Sequence, residues 1–450
     1  MFVALILMLT YVQVWAAPSL KVNPANTRAV EEEMKIQRGV IVSADGQTLA
    51  TNDQQGQYFI RTYPFKDLTE PWLGYNNLTY GRAGVERVYN EQLTGQAGLL
   101  GVTGSWSAIL GQPKRGSDIK LTINMKVQQA AAGALGQRNG AVVALDPKTG
   151  AILAMVSYPR YDPNTLTAQW KDLSQNEDRP LLNRATQGLY PPGSTFKIIV
   201  AGAALQTGAV THASTFTDTG SVTIGGYVIH NFDNKSYGQH DFTKAFASSI
   251  NTTFATVGSQ LGADTESTYA SAFGFGQALP WKLGGSTSRF PDPSGMDKAH
   301  VAQTSIGQGE VLSTPMEMGL AACAVANGGT IMKPYLVDEI QSYNGAIVEK
   351  TSPSRWLQPL TAATAATLKA LMVQVVKSGT GTAASINGVQ VAGKTGTAEV
   401  ATGDSHAWFA GFAPADDPQV AVVVIVENGG SGGSVAGPIA KQVIAAALGR

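Results

Sequence analysis

The sequence predicts an α+β protein, and three observations carry that prediction. Apolar runs with strand character meet at turn signals, as GAVVALD (140–146) and AILAMVS (151–157) do across Pro147-Lys148-Thr149-Gly150. Stretches of helical length and composition stand apart from them, among them Phe196 to Leu205 and the run STPMEMGLAACAVANGG. Fifty glycines in 450 residues favour many turns and strands. At 44% apolar composition the chain can bury a sizeable core, and its length suits two domains better than one.

Taken in order, the chain opens with FVALILMLTYVQVWAA, Phe2 to Ala17, mostly apolar and uncharged. As a helix this run would span about 24 Å, short of a roughly 30 Å hydrocarbon core. The first cation, Lys21, lies on its far side. Three readings stand: an uncleaved export anchor whose recorded start lacks some basic residues, a cleaved signal peptide, or a buried core helix. The expectation is an anchor over residues 1–20, a single pass, with the remaining chain outside the cytoplasmic membrane. NPANTRAVEEEMKIQ then reads as a polar helical connector, and RGVIVSADGQTLATN as a hairpin turning at Ala44-Asp45-Gly46. Up to about residue 115 the chain is irregular, with turn clusters such as YNNLTYGRAG. SDIKLTINMKVQQAAAGAL changes from strand alternation at Ile119, Leu121 and Ile123 to a helix rich in Ala and Gln. The expected division is thus a small mixed module over residues 21–125 and a larger domain over 126–450. NGGSGGS, Asn428 to Ser434, is a low-complexity run near the end.

Composition excludes several classes of function. Lys plus Arg balance Asp plus Glu at 32 each, so no net field draws nucleic acid to the chain. One cysteine, Cys323, rules out an internal disulfide and a Cys-rich metal site. It falls inside a helix with a capping box at Thr314 and Glu317 and an Asn-Gly stop, where a packing role is expected of it. The five histidines show no metal-ligand spacing, and neither a metal nor another cofactor is expected. His406 is expected to rim a cleft without acting directly.

Lys-Thr-Gly occurs twice, at Lys148 and Lys394. The first copy is explained by its hairpin, because Pro147 sets the turn and Gly150 supplies a positive φ, so Lys148 is a solvated turn residue. The second needs a partner, and LYPPGSTFKIIVAGAAL offers one. Pro191, Pro192 and Gly193 break structure, and a helix follows on which Ser194 and Lys197 share a face one turn apart. A hydroxyl becomes a useful nucleophile when a base takes its proton, and a lysine serves as base when burial, a helix N-terminus or a second cation depresses its pKa. The competing reading is an N-cap serine with Lys197 snorkelling. Ser-x-x-Lys recurs at Ser117 and Lys120, where a predicted strand puts the two on opposite faces. Ser-x-Asn occurs at Ser174, Ser249, Ser342 and Ser385. Ser174 and Ser342 have loop-like surroundings and Ser385 opens a turn, whereas Ser249-Ile250-Asn251 lies between helix-like runs that can hold it beneath a cleft.

Ser-Thr-Phe-Lys, then Ser-Ile-Asn about 55 residues on, then Lys-Thr-Gly-Thr about 145 residues after that, resembles the penicillin-binding proteins. NRATQGLYPPGSTFKI, IGQGEVLSTPMEMGLAACAVANGGTIMKPYLV and VAGKTGTAE agree with the class B transpeptidases. HAWFAGFAPADDPQVAVVVIVENGG and the short N-terminal module are similar to the actinobacterial penicillin-binding protein A type. The resemblance implies a mainly antiparallel five-stranded sheet flanked by helices, a helical subdomain, and a pedestal or dimerisation-like module before them. Lys394 to Glu399 would form an edge strand, continued through the last two strands to a closing helix from Val435 to Leu448.

What the resemblance implies for chemistry is a D,D-transpeptidase that cross-links peptidoglycan stem peptides through a serine acyl-enzyme and is acylated by β-lactam antibiotics. Ser194 would be the nucleophile and Lys197 its base. Ser249 would relay a proton to the leaving amine, and Asn251 would bind the donor amide and orient Lys197. Lys394, Thr395 and Thr397 would hold the substrate carboxylate, Gly396 would admit the ligand close to the backbone, and the N–H groups of Ser194 and Thr397 would form the oxyanion hole. A separate membrane glycan polymerase and division or elongation proteins are the implied partners, since no glycosyltransferase-sized segment precedes the module. Two alternatives stand beside this reading: a β-lactamase or β-lactam sensor, against which Glu266 does not match the Glu-x-x-x-Asn element of class A enzymes, and an inactive scaffold of the division machinery.

Overall fold

The computed structural model describes residues 2–11, 27–96 and 115–450. Phe2–Thr10 is helical, and residues 12–20 of the run expected to form an anchor lie outside the described residues. Among the described residues no helix is long and apolar enough to cross a membrane.

The larger part of the chain is built on β1 (Gly140–Leu145), β2 (Ile152–Tyr158), β3 (Ala392–Ala398), β4 (His406–Ala413) and β5 (Val420–Val426). Their spatial order is β3-β4-β5-β1-β2, and every pairing is antiparallel. The central strands are continuously apolar because both faces are covered. Along β5, Ala421, Val423 and Ile425 join one core, and Val420, Val422, Val424 and Val426 join the other. Each fully buried Val contributes on the order of 1.5 to 3 kcal/mol. Helices α1 (Met125–Leu135) and α5 (Ala436–Ala447) cover the second face. The first face packs on α4 (Pro315–Ala326), which is buried on nearly every side, and α2 (Lys197–Gln206) of the helical subdomain joins the same core. α3 (Asn251–Leu261) belongs to the same subdomain and carries the Ser-Ile-Asn motif at its start.

The hairpin over β1 and β2 turns as expected, with Gly150 at φ +84°. Asp146 does more than the sequence reading allowed. Its carboxylate accepts from Lys148 N at 2.8 Å and from Thr149 Oγ1 at 2.7 Å, an Asx-type turn that closes the loop. The capping box on α4 is half made. Thr314 Oγ1 accepts from Glu317 N at 3.1 Å, but Thr314 N donates to Ser288 Oγ, and burial pushes the Glu317 carboxyl up to about 8. Cys323 is buried within this helix, and burial raises its thiol pKa.

The N-terminal module centres on a six-stranded sheet with the spatial order 347–350, 337–341, 118–121, 41–42, 48–55 and 58–62. Residues 337–350 thus return from the far part of the chain to complete it. The helical connector appears as Thr27–Met34, and the hairpin turns at Gly46 with φ +80°. Buried Glu86 binds both Arg38 and Arg61; burial would raise its pKa, yet the two guanidiniums hold it below the ordinary value. Trp72 Nε1 donates to Met155 O at 3.0 Å and ties the module to β2. Of the other sequence candidates, Ser117 is buried just before the strand 118–121 and Lys120 reaches Asp338 at 3.9 Å. Ser174 lies in the helix Leu166–Gln175 rather than in a loop, its Oγ donating to Lys171 O.

Candidate active site

The turn Pro191-Pro192-Gly193 delivers Ser194 into a short 3₁₀ helix, Gly193–Phe196, that runs directly into α2 at Lys197. Three residues make one 3₁₀ turn, so Ser194 and Lys197 are stacked on one side. Neither helix start uses Ser194 as a cap, and its hydroxyl makes no hydrogen bond among the described residues. The N-cap reading of the serine therefore falls. Gly193, at φ +51°, lies so near β3 that a Cβ would meet Thr397 O and Ala398 Cβ at 3.0 Å. The missing Cβ of Gly396 faces the same turn, at 3.0 Å from Pro192 O and 3.1 Å from Thr195 Cγ2. Both glycines let the turn that carries Ser194 lie against the strand, a demand of the chain's own packing.

Lys197 snorkels nowhere: it is fully buried. Its Nζ donates to Ser249 O at 2.9 Å and to Asn251 Oδ1 at 2.7 Å, lies 3.3 Å from Ser249 Oγ, and sits 5.1 Å above the Phe254 ring. Lys394, also fully buried, places its Nζ 2.8 Å from the same Ser249 Oγ and 3.0 Å from Thr395 O. The Ser249 hydroxyl thus bridges two amines from opposite walls. Ser249 achieves this with φ +59°, left-handed backbone that costs a non-glycine residue about 1 to 3 kcal/mol and is found where function over-determines it. The helices Phe242–Ala247 and α3 on either side hold it there.

Burial, then the neighbouring Lys394 charge, drives the Lys197 pKa well below the ordinary lysine value. Burial also lowers Lys394, to about 7. Lys197 therefore has the attribute of a base, an amine whose ammonium form is disfavoured. The expected roles of the Asn251 amide divide differently. Its Oδ1 faces Lys197, while its Nδ2 donates to His230 O at 2.9 Å, leaving one N–H for a ligand.

β3 is an edge strand, with its outer backbone groups open to an added chain. Thr395 Oγ1 lies 2.6 Å from Thr380 Oγ1, a pair that keeps one O–H to donate. Thr397 Oγ1 accepts from Gly432 N at 3.3 Å and retains its own proton. The glycine-rich run 428–434 is thus an ordered wall, and a Cβ on Gly432 would come within 2.2 Å of Gly396 O. Sequence reasoning passed over Thr380, which lies in KSGTGTA with no motif to mark it. It also passed over the brace behind the Ser194 turn. Glu427 Oε1 accepts from Arg184 Nε and Tyr190 OH, both at 2.7 Å, and Trp408 Nε1 donates to Pro191 O at 3.1 Å. His406 belongs to this brace, its ring 5.6 Å from that of Tyr190 and its Nδ1 accepting from Asn428 N.

The arrangement can perform acyl transfer: a hydroxyl not engaged as a cap, a buried amine whose ammonium form is disfavoured, a bridging hydroxyl and an edge strand open to an added chain. Comparison with known proteins agrees with that chemistry. The penicillin binding protein transpeptidase domain matches residues 140–445, and the penicillin binding protein A dimerisation domain matches residues 38–119. The peptidoglycan D,D-transpeptidases PbpA of Mycolicibacterium smegmatis and Mycobacterium tuberculosis are each 38% identical to the chain, over 98% and 100% of it and 94% and 96% of their own lengths. The penicillin G acyl-enzyme complex of penicillin-binding protein A from M. tuberculosis superposes with a TM-score of 0.86 at 37% identity, covering 92% of this chain and 100% of that one. A D,D-transpeptidase domain from Eggerthella lenta gives a TM-score of 0.85 at 35% identity over 92% of this chain and 99% of that one. The chain belongs to the class B penicillin-binding proteins of the penicillin-binding protein A type, and is a serine-type D-Ala-D-Ala transpeptidase.

Proposed function

We propose that this enzyme cross-links peptidoglycan stem peptides outside the cytoplasmic membrane, anchored by residues 1–20, with Ser194 as nucleophile. The observation that carries the assignment of roles is the Ser249 hydroxyl bridging Lys197 and Lys394 at 3.3 and 2.8 Å. Lys197 Nζ takes the Ser194 proton as Oγ attacks the penultimate D-Ala carbonyl carbon. The N–H groups of Ser194 and Thr397 receive the oxyanion. As the C–N bond breaks, Ser249 passes its proton to the departing amine and takes in return the one held on Lys197, and terminal D-Ala leaves. An amine of a neighbouring peptide then attacks the ester, forming the cross-link and restoring Ser194. Lys394, Thr395 and Thr397 hold the substrate carboxylate, which in turn favours the charged form of Lys394. Asn251 orients Lys197 and offers its remaining N–H to the donor amide.

Residues 21–125 serve as the pedestal and 126–450 as the catalytic domain, a division supported by the two family matches. A membrane glycan polymerase supplies the glycan, within a division or elongation assembly, and β-lactams acylate Ser194. The apolar, uncharged run from Phe2 to Ala17 supports the anchor. Glu266 is no deacylating base here, because its carboxyl is buried against the hydroxyls of Thr304 and Ser305. The test incubates the purified protein with a stem peptide ending in D-Ala-D-Ala and an acceptor amine. Release of D-Ala with a joined product, both blocked by penicillin, is expected. Steady penicillin hydrolysis without D-Ala release would establish the β-lactamase alternative, and no reaction with either would establish the scaffold.

A further inference from the structure

We propose that Asp218, outside the three motifs, is a positioning residue for acylation that acts through Thr252 and Asn231 on the amide of Asn251; this rests on the roles given above to Asn251 and Lys197. Asp218 is only 4% exposed, and among the described residues it forms no ion pair with a cation. Its Oδ1 accepts from Thr252 Oγ1 at 2.7 Å and Gly220 N at 3.0 Å, and its Oδ2 from Tyr237 N at 2.7 Å and Asn231 Nδ2 at 2.9 Å. All four partners are donors, so an ionised carboxylate satisfies them and an amide does not. Burial would raise its pKa, but the hydrogen bonds from Thr252, Gly220, Tyr237 and Asn231 hold it below the ordinary aspartate value.

Asn231 completes a ring, accepting from Thr252 N at 3.0 Å with its Oδ1. Thr252 is held at both its N–H and its hydroxyl, and it directly follows Asn251 in the first turn of α3. The other end of the clamp is His230, next to Asn231, whose carbonyl takes Asn251 Nδ2. With that acceptor in place, Asn251 must turn Oδ1 toward Lys197. A flipped amide would set its NH₂ against the Lys197 amine and deprive the ammonium form of an acceptor. The loop 218–237 thereby selects the amide orientation on which the base depends.

The measurement is the second-order penicillin acylation constant against pH for wild type, Thr252→Val, Thr252→Ser and Asp218→Asn, with melting temperatures. Thr252→Val keeps the side-chain shape and removes the hydroxyl. It is expected to lower the plateau about tenfold, since a hydrogen bond to a charged group is lost, and to move the acid limb to lower pH, because Lys197⁺ loses an acceptor. The limb belongs to the Lys197–Lys394 pair. Lys394 is the charged side chain facing Lys197, while Tyr237, Asp233 and Lys235 surround Asp218 on its loop, and these substitutions alter none of them. Thr252→Ser restores plateau and limb, and Asp218→Asn repeats the Thr252→Val effect more strongly. A Thr252→Val enzyme that melts lower yet keeps the wild-type plateau and limb overturns the proposal and makes Asp218 a support of the loop alone. If Lys197→Ala also acylates normally, the assignment of the base fails as well, and the two failures are thus told apart.

Discussion

Lys197→Ala is expected to lower the second-order acylation constant by about 10²- to 10⁴-fold, the contribution of a positioned general base. The residue is fully buried, its Nζ tied to Ser249 O and Asn251 Oδ1 and faced by Lys394. Burial and the facing Lys394 charge disfavour its ammonium form, which disposes the amine to accept the Ser194 proton. Acylation in the wild type should therefore rise with pH through the depressed lysine pKa, and the rise should vanish in the variant. Because Lys197→Ala leaves a cavity at the start of α2, the melting temperature is measured beside the rate to separate loss of catalysis from loss of fold. Wild-type rates in Lys197→Ala, with the same pH limb, would point to another base.

The second expectation uses the two copies of Lys-Thr-Gly as mutual controls. On the proposed role of Lys394, Lys394→Ala removes a charge-assisted contact to the substrate carboxylate of about 1.5 to 3 kcal/mol, and acylation should slow by roughly 10- to 100-fold. It also leaves the Ser249 hydroxyl without one of its two amine partners. Lys148→Ala should leave the rate unchanged. Lys148 is half exposed and paired with the still more exposed Asp417, and its turn is held by Asp146 and Gly150; such a surface change usually costs within about 0.5 kcal/mol. Lys394 adds a stability signature. Its pKa falls from 10.5 to about 7 on folding, so the unfolded chain binds more protons between those values. The contribution is fully present above 10.5 and is lost as pH falls through about 7. The increase of melting temperature over this window should be shallower in Lys394→Ala than in wild type. Equal loss of rate at both positions, or loss at Lys148 alone, would overturn the assignment of the strand that faces substrate.

The parts of this site legible in the sequence are those set by local geometry. Ser194 and Lys197 share one helical turn, and Ser249-Ile250-Asn251 is pinned between two helices, so their local placing was readable from spacing and flanks, whereas Ser174, expected in a loop, lies in a helix. The hairpin of β1 and β2 announced itself by its turn residues. What stayed hidden depends on pairing between distant segments. β5 pairs with β1 across most of the chain, and residues 337–350 join strand 118–121 in the N-terminal sheet. Neither pairing leaves a periodic trace. Gly396 looked like room for a ligand, but its missing side chain first makes room for the Pro192 to Thr195 turn. Asp218 was invisible for a similar reason, since two of its four donors are backbone N–H groups that any residue carries.

The central claim is that Ser194 becomes acylated, and labelled penicillin followed by intact-mass measurement and peptide mapping tests it most directly. The account predicts one long-lived adduct per chain, on the peptide containing Ser194, absent from a folded Ser194→Ala variant. A label on Ser117 or Ser249, or one that persists in Ser194→Ala, would contradict it.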